Sequence, residues 1–563
     1  MLQIITGKFY KMTARHENPG KGILFSNFRS SYPIETVVGK LESVADSGSN
    51  GGLIFSYLHQ LEVGPDPYFS IVRGGGEDAE LIEQFRLLAI FGLRAWFSHD
   101  QSRVEHLCRS TRKGQTREWP PSKFVPRYFE PNLEGRLEDV AEFAALVKKT
   151  VALPRFKYLA VLGALRAIAG ALEAVSGNVD LAYSMLVYAL ESLAQQFDGH
   201  EPQWEEYEPA IRTALDTVLA KATPEVAAEI RTALLCAGHV KLQARFIAFI
   251  TAHVEERYFT SEAARVRAPV QKNSLKRVLA NAYNLRSRYV HALEPVLHQL
   301  RQPELALSDA LEWNHKPYLT FSGLLRLTTH IVRNFIARGQ VLETEDIDWR
   351  NQLPGIVKWK MAPEYWLRPE KFTPGNAVQF LEGFIEHLYS PRDNNAVVDM
   401  TGVMEIIEQR MSHAKKEEKV SMVSLYLLWN YTVSENLART GYHEFLAKHA
   451  TVLDEASIEF LAASVGLDSE WRHPLDALVT TFRRYTTAKF NPLSLSLPRI
   501  VEAAIASKIA NRAIDDGKLE IFREMLDFAR LNLPGCIEIQ QQLSEAMVAL
   551  KRVDVFSVLG RTA

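Results

Sequence analysis

The chain has 563 residues, 47% of them apolar and 23% charged, and a formal net charge of −2. This is the composition of a globular protein of about two to four domains, and its charge makes neither nucleic acid nor a membrane a default partner, so any electrostatic footprint must be local. Three widely separated cysteines, Cys108, Cys236 and Cys536, argue against a disulfide framework and a cysteine-based zinc site and lead us to expect a reducing, cytoplasmic compartment.

In chain order, residues 1–150 are expected to form a β-rich N-terminal domain with a following helix. Leu2–Thr6, Gly22–Ser26, Thr36–Glu42 and Gly52–Leu58 are short and rich in β-branched or aromatic residues, with Gly, Pro, Asn and Ser between them. The Gly74-Gly-Gly run leads into a predicted helix over Glu77–Ser98. The segment 100–135 holds a basic loop, Arg109–Arg117, and a proline-rich stretch that cannot stay helical. A domain boundary is expected near 135–152.

From Leu137 onward the periodicity is that of helices, with a helical domain over 151–340 and a helical C-terminal domain over 341–563. Tyr158–Val175 is the most apolar stretch, but Arg166 and Glu173 mark it as a buried helix and not a membrane span. Further helices are predicted over Asn178–Phe197, Lys272–Glu294 and Tyr318–Arg338. The segment Trp349–Pro374 reads as a break, and Lys415–Lys419 as a solvated linker. The fold class is therefore mainly α.

Several familiar chemistries have no residues here. There is no Gly-x-x-x-x-Gly-Lys-Ser/Thr loop, and Glu77-Asp78 after the glycine run would repel a phosphate. No His-Glu-x-x-His and no Gly-x-Ser-x-Gly occurs. No metal site and no cofactor is expected.

The stretch Asn281–Leu293 remains, with Arg286 and His291 in a helix-compatible run that carries no acid. Five positions amount to a net rotation of about 140°, so the two side chains do not stack on one stripe, yet they can border one groove. Arginine offers a permanently charged fork that matches a phosphate, and histidine moves protons near neutral pH. Together they hold what attack by a ribose 2′-hydroxyl needs, without a metal. From Lys241 to His291 cations outnumber acids, a local footprint for phosphate. The alternative is a solvated basic helix face with one packed histidine. Arg94 and His99 have the same separation and read as a helix end whose histidine satisfies terminal carbonyls. His106, His239 and His253 have no evident partners. Trp349, Trp359, Tyr365 and Trp366 read as the packing of an interdomain connection.

Tyr283–His291 resembles the Arg-x(4–6)-His signature of HEPN domains, in the group of ApeA-like anti-phage proteins. Leu186-Val-Tyr-Ala-Leu-Glu191-Ser-Leu is similar to an earlier helix of that group, and Phe321–Ile336 to its closing helix. The resemblance covers about 152–340. It implies a HEPN-like helical bundle that dimerises with the two motifs facing each other, and metal-independent endoribonuclease activity. Arg286 would hold the scissile phosphate and His291 would take part in proton transfer. Asn284 and Arg288 would add RNA contacts. Ser287 departs from the asparagine, aspartate or histidine often found after the arginine.

The leading expectation is thus a ribonuclease effector of anti-phage defence or toxin type. It would cleave tRNA or other RNA, act as a homodimer without a membrane, and respond to a phage-derived trigger. A non-catalytic dimerisation or RNA-binding scaffold is the alternative. A third reading is a nuclease kept silent until a ligand binds the N-terminal unit.

Overall fold

The computed structural model describes residues 1–44, 52–63, 75–108, 119–195, 197, 203–204, 209–237, 239–305, 308–354, 361–389, 397–467, 470–491 and 494–558. They form two compact units, Met1–Val357 and Lys358–Ala563. The chain is mainly helical, with a small β unit near its N-terminus.

The strands of the first unit are β1 (Arg15–Ser26), β2 (Phe28–Arg29), β3 (Ile34–Thr36), β4 (Gly39–Ser43), β5 (Gly52–Glu62), β6 (Phe97–Ser98), β7 (Leu133–Glu134), β8 (Ala310–Trp313) and β9 (Lys316–Leu319). An antiparallel sheet runs in the order β3-β4-β5-β1-β6. β1 and β5 pair along their whole length, from Arg15 opposite Glu62 to Phe25 opposite Gly52. Pro19 is tolerated within β1 because β6 reaches only Phe25 and Ser26, which leaves β1 an edge strand at the proline. Alternate β5 residues Leu53, Phe55, Tyr57, His59 and Leu61 are buried, and Phe55 stacks on Phe85 at 3.7 Å.

The helices of this unit are α1 (Gly75–Leu93), α2 (Gln101–Cys108), α3 (Leu137–Val151), α4 (Arg155–Ala174), α5 (Val179–Ala194), α6 (Pro209–Leu219), α7 (Pro224–Ala237), α8 (His239–His253), α9 (Glu256–Phe259), α10 (Leu275–Ala292) and α11 (Phe321–Arg338). α5 lies at the centre of the bundle, packed by α4, α8, α10 and α11. One hydrophobic core runs from Met1 to Leu353. The β-rich segment and the helical segment thus share a core, with no break in packing at 135–152. α3 is the join: its buried Phe143 packs edge-on against Phe85 of α1.

Four local expectations are corrected. Leu2–Thr6 is a series of turns, not a strand. Met1, Leu2, Ile4 and Ile5 are buried consecutively, without strand alternation. α1 stops at Leu93, because Arg94 adopts a left-handed conformation with φ 52°. Residues 310–319, expected within the helical run, form the β8-β9 hairpin, whose two-residue turn has positive φ at both Asn314 and His315. Lys415–Lys419 starts a helix instead of a linker: Glu418 accepts the Lys415 N–H, and two acids occupy the first turn. The Arg109–Arg117 loop, Trp359 and Gly74 lie outside the described residues. Trp349 is buried against Tyr10, with ring centroids 5.1 Å apart.

The second unit contains α12 (Ala377–Tyr389), α13 (Thr401–Arg410), α14 (Lys416–Thr432), α15 (Tyr442–Lys448), α16 (Ile458–Ser464), α17 (Leu475–Ala488), α18 (Arg499–Asp515), α19 (Leu519–Leu531), α20 (Ile537–Ala549) and α21 (Val555–Val558). They enclose a separate core. Arg439 reaches across to Glu405 and Glu408, and buried Glu502 holds Tyr485 and Lys489. Among the described residues no helix is long and apolar enough to cross a membrane.

Candidate active site

α10 buries Leu275, Val278, Leu279, Ala282 and Tyr283 on one stripe. The next position of that stripe is Arg286. A charge at a core-facing position is costly unless it is paired. The partner comes from α5, where Glu191 follows Val187 by one turn. Arg286 Nη2 lies 2.8 Å from Glu191 Oε2, and the side chains keep only 11% and 12% of their exposure.

Two tyrosines complete the packing. The Arg286 guanidinium carbon sits 4.2 Å from the centre of the Tyr188 ring and 5.8 Å from that of Tyr283. The Tyr283 hydroxyl donates to Glu191 Oε1 at 3.4 Å. Burial first, then the Glu191 charge, pushes that hydroxyl's pKa up to about 12, so it stays a donor. Arg286 Nε is buried without a hydrogen-bond partner, and Glu191 Oε2 receives no aligned hydrogen bond. The contact with Arg286 is therefore an ion pair, and the guanidinium keeps unused donor capacity.

His291 stands elsewhere. It occupies the last turn of α10 and is exposed. Its position is about 140° around the helix from Arg286. Arg277, Asn284, Arg288 and His291 follow one another at offsets of seven, four and three residues and are all exposed, so they share the outward face. Asn284 Oδ1 accepts from Gln243 of α8 at 3.2 Å. Asn281, which opens the motif stretch, donates to the Pro317 carbonyl at 2.7 Å and ties α10 to the hairpin. α10 ends at Leu293, left-handed with φ 54° and 77% exposed, whose N–H returns to the Arg288 and Tyr289 carbonyls. The structure therefore gathers Arg286 with Glu191, and gathers Asn284, Arg288 and His291 on the opposite aspect of the same helix.

Glu191 and Arg277 were not singled out as site residues from sequence. Glu191 is distant in the chain, and spacing within one helix cannot reveal it. The offsets that join Arg277 to His291 are readable once α10 is known to be helical.

Three other histidines, His99, His253 and His330, have structural partners. His99 Nε2 lies 3.2 Å from Glu83 Oε2, so it binds a carboxylate and not the helix-end carbonyls expected of it. His253 Nδ1 meets the Phe249 carbonyl at 2.8 Å among Phe197, Phe249 and Phe335, and burial lowers its pKa. His330, almost wholly buried on α11, has Nδ1 2.9 Å from Glu262, while its Nε2 accepts the Glu255 N–H at 3.1 Å. That pattern assigns the proton to Nδ1. Among the described residues no three His, Cys, Asp or Glu side chains cluster as metal ligands would. Comparisons with protein-family models, with curated proteins and with solved structures find no match to this chain.

Proposed function

We propose that the protein is a metal-independent endoribonuclease of HEPN type, in which each chain contributes half of the catalytic surface. One observation carries the reading. α5 and α10, two of the three segments that resemble HEPN helices, meet so that Glu191 holds Arg286 while His291 stays exposed at the helix end. An exposed histidine is accessible to substrate, and a twofold arrangement would bring the outward faces of two α10 helices together. Arg277, Asn284 and Arg288 beside it suit an RNA backbone.

In the proposed reaction the ribose 2′-oxygen loses its proton and bonds to phosphorus, and the bond to the 5′-oxygen breaks. His291 moves a proton on one side of that exchange. Arg286 stabilises the negatively charged phosphorane. The products are a 2′,3′-cyclic phosphate and a 5′-hydroxyl, and no water is consumed. The role in phage defence, the dimer and the cytoplasmic setting belong to this proposal.

A second reading is favoured by the same ion pair. Arg286 is nearly buried and already paired inside its own chain, as a structural charge in a non-catalytic scaffold would be. RNA incubated in EDTA with parent protein and with Arg286→Ala or His291→Ala separates them. Loss of cyclic-phosphate ends in His291→Ala, and in Arg286→Ala under conditions where circular dichroism shows it folded, supports the nuclease. Equal cutting by all three refutes the assigned residues.

A further inference from the structure

α6 and α7 stand outside the core of their unit. Among the described residues, none between Phe197 and Phe246 joins that core. Within the two helices only Leu219 and Ala227 are buried among the described residues. Helices of 11 and 14 residues are marginal on their own and depend on packing for their stability.

The contact between them is polar. Arg231 of α7 donates from Nη2 to Asp216 Oδ1 of α6 at 2.9 Å, and Trp204 Nε1 donates to the same oxygen at 3.0 Å. The Arg231 guanidinium carbon lies 5.3 Å from the centre of the Trp204 ring. Both charged side chains are partly exposed, so this pair holds the hairpin together only weakly.

The larger apolar side chains point away from that contact. Ile211 is 48% exposed, Val218 64%, Val226 45% and Ile230 39%. Ile211 precedes Asp216 by five positions and Val226 precedes Arg231 by five, a net rotation of about 140° in the same sense. The connection 220–223 is short, which makes the helices antiparallel neighbours. Equal rotations from a mutual contact then put both residues on one side of the hairpin. Val218, seven positions after Ile211, and Ile230, four after Val226, extend the two stripes on that side. A hairpin with its charges inside and its apolar residues outside is the reverse of a solvated one. Such a face marks an interaction surface.

The end of the hairpin indicates the partner. Lys221 in the connection and Glu225 at the start of α7 are both exposed and carry opposite charge at the same end. A twofold axis parallel to the hairpin would set α6 of each copy against α7 of the other. Each Lys221 would then meet the second copy's Glu225 while the apolar stripes face each other. This self-complementarity is what an isologous contact requires.

We propose that the α6–α7 hairpin is a docking surface for the same hairpin of a second copy of this chain, the two forming a four-helix bundle. The surface uses neither Arg286 nor His291 and does not depend on the nuclease reading.

The test is analytical ultracentrifugation of the full chain, which reads the dimer dissociation constant without reference to RNA cleavage. Ile230→Glu should keep the parent's unfolding midpoint, because the side chain is exposed and glutamate is a good helix former. It should raise the dissociation constant at least about tenfold. Lys221→Glu and Glu225→Lys should each weaken the dimer about 3–10-fold, because like charges then meet across the axis. Mixing these two variants should restore parental affinity, since every pair across the axis is again of opposite sign. A parent that stays monomeric up to about 100 µM overturns the proposal and leaves the face to a different protein. An unchanged dissociation constant in Ile230→Glu, or a mixture no tighter than its components, overturns it too. A dimer that Leu293→Asp splits and Ile230→Glu leaves intact would lie at α10 and not at the hairpin, and also overturns it.

Discussion

Arg286 Nη2 and Glu191 Oε2 meet at 2.8 Å between α10 and α5, on side chains that are almost fully covered. Removing one partner leaves a buried charge alone, so Glu191→Ala should cost about 3–5 kcal/mol of unfolding free energy. Replacing both with apolar residues of similar volume, as in Glu191→Leu with Arg286→Met, should return most of it. Denaturant unfolding of the parent, Glu191→Leu, Arg286→Met and the double variant closes this cycle. On the proposed function, the double variant folds and fails to cut RNA, whereas a scaffold would keep its binding and its oligomeric state.

The end of α10 is strained without being packed. Leu293 has φ 54° and is 77% exposed, so its side chain gives little in return for a left-handed backbone. Leu293→Gly should stabilise the first unit by about 0.5–1 kcal/mol, read from the unfolding midpoint. Leu293→Val should be destabilising, because a β-branched residue resists the same conformation.

Acid should weaken the junction of α1 with β6. Burial would raise the Glu83 carboxyl, but hydrogen bonds from Arg86 and then His99 outweigh it and hold the pKa at about 2, against an ordinary 4.5. A depressed carboxylate pKa contributes stability that is fully present above about 4.5 and disappears as the pH falls towards 2. With Glu83 partly exposed, the contribution is about 1–2 kcal/mol after solvent screening. Glu83→Gln should flatten the stability profile between pH 5 and pH 2, measured by chemical denaturation at each pH.

Local pattern made much of this fold legible. α4, α5, α10 and α11 follow from apolar residues at helical spacing, and β5 and the Gly22–Ser26 end of β1 from β-branched runs, whereas Asn18-Pro-Gly, a turn signal, lies within β1 paired to β5. The shared core of residues 1–353 was not legible, because it depends on long-range packing such as Phe143 on Phe85. The β8-β9 hairpin was missed since Asn-His is a weak turn signal beside Asn-Gly, although the structure puts both residues at positive φ. At the candidate site, Arg286 and His291 could be named from one helix. Their separation into a covered ion pair and an exposed face could not, because Glu191 enters only when α5 is packed against α10.

The central claim is tested most directly through His291, which is exposed and can be replaced with little effect on stability, within about 0.5 kcal/mol. The measurement is RNA cleavage in EDTA by parent and His291→Ala proteins of matched unfolding midpoint and oligomeric state, with the chemistry of the cut ends determined. The account predicts 2′,3′-cyclic phosphate ends from the parent and none from the variant. Equal cleavage by His291→Ala, or cleavage by the parent only when magnesium is added, would contradict it.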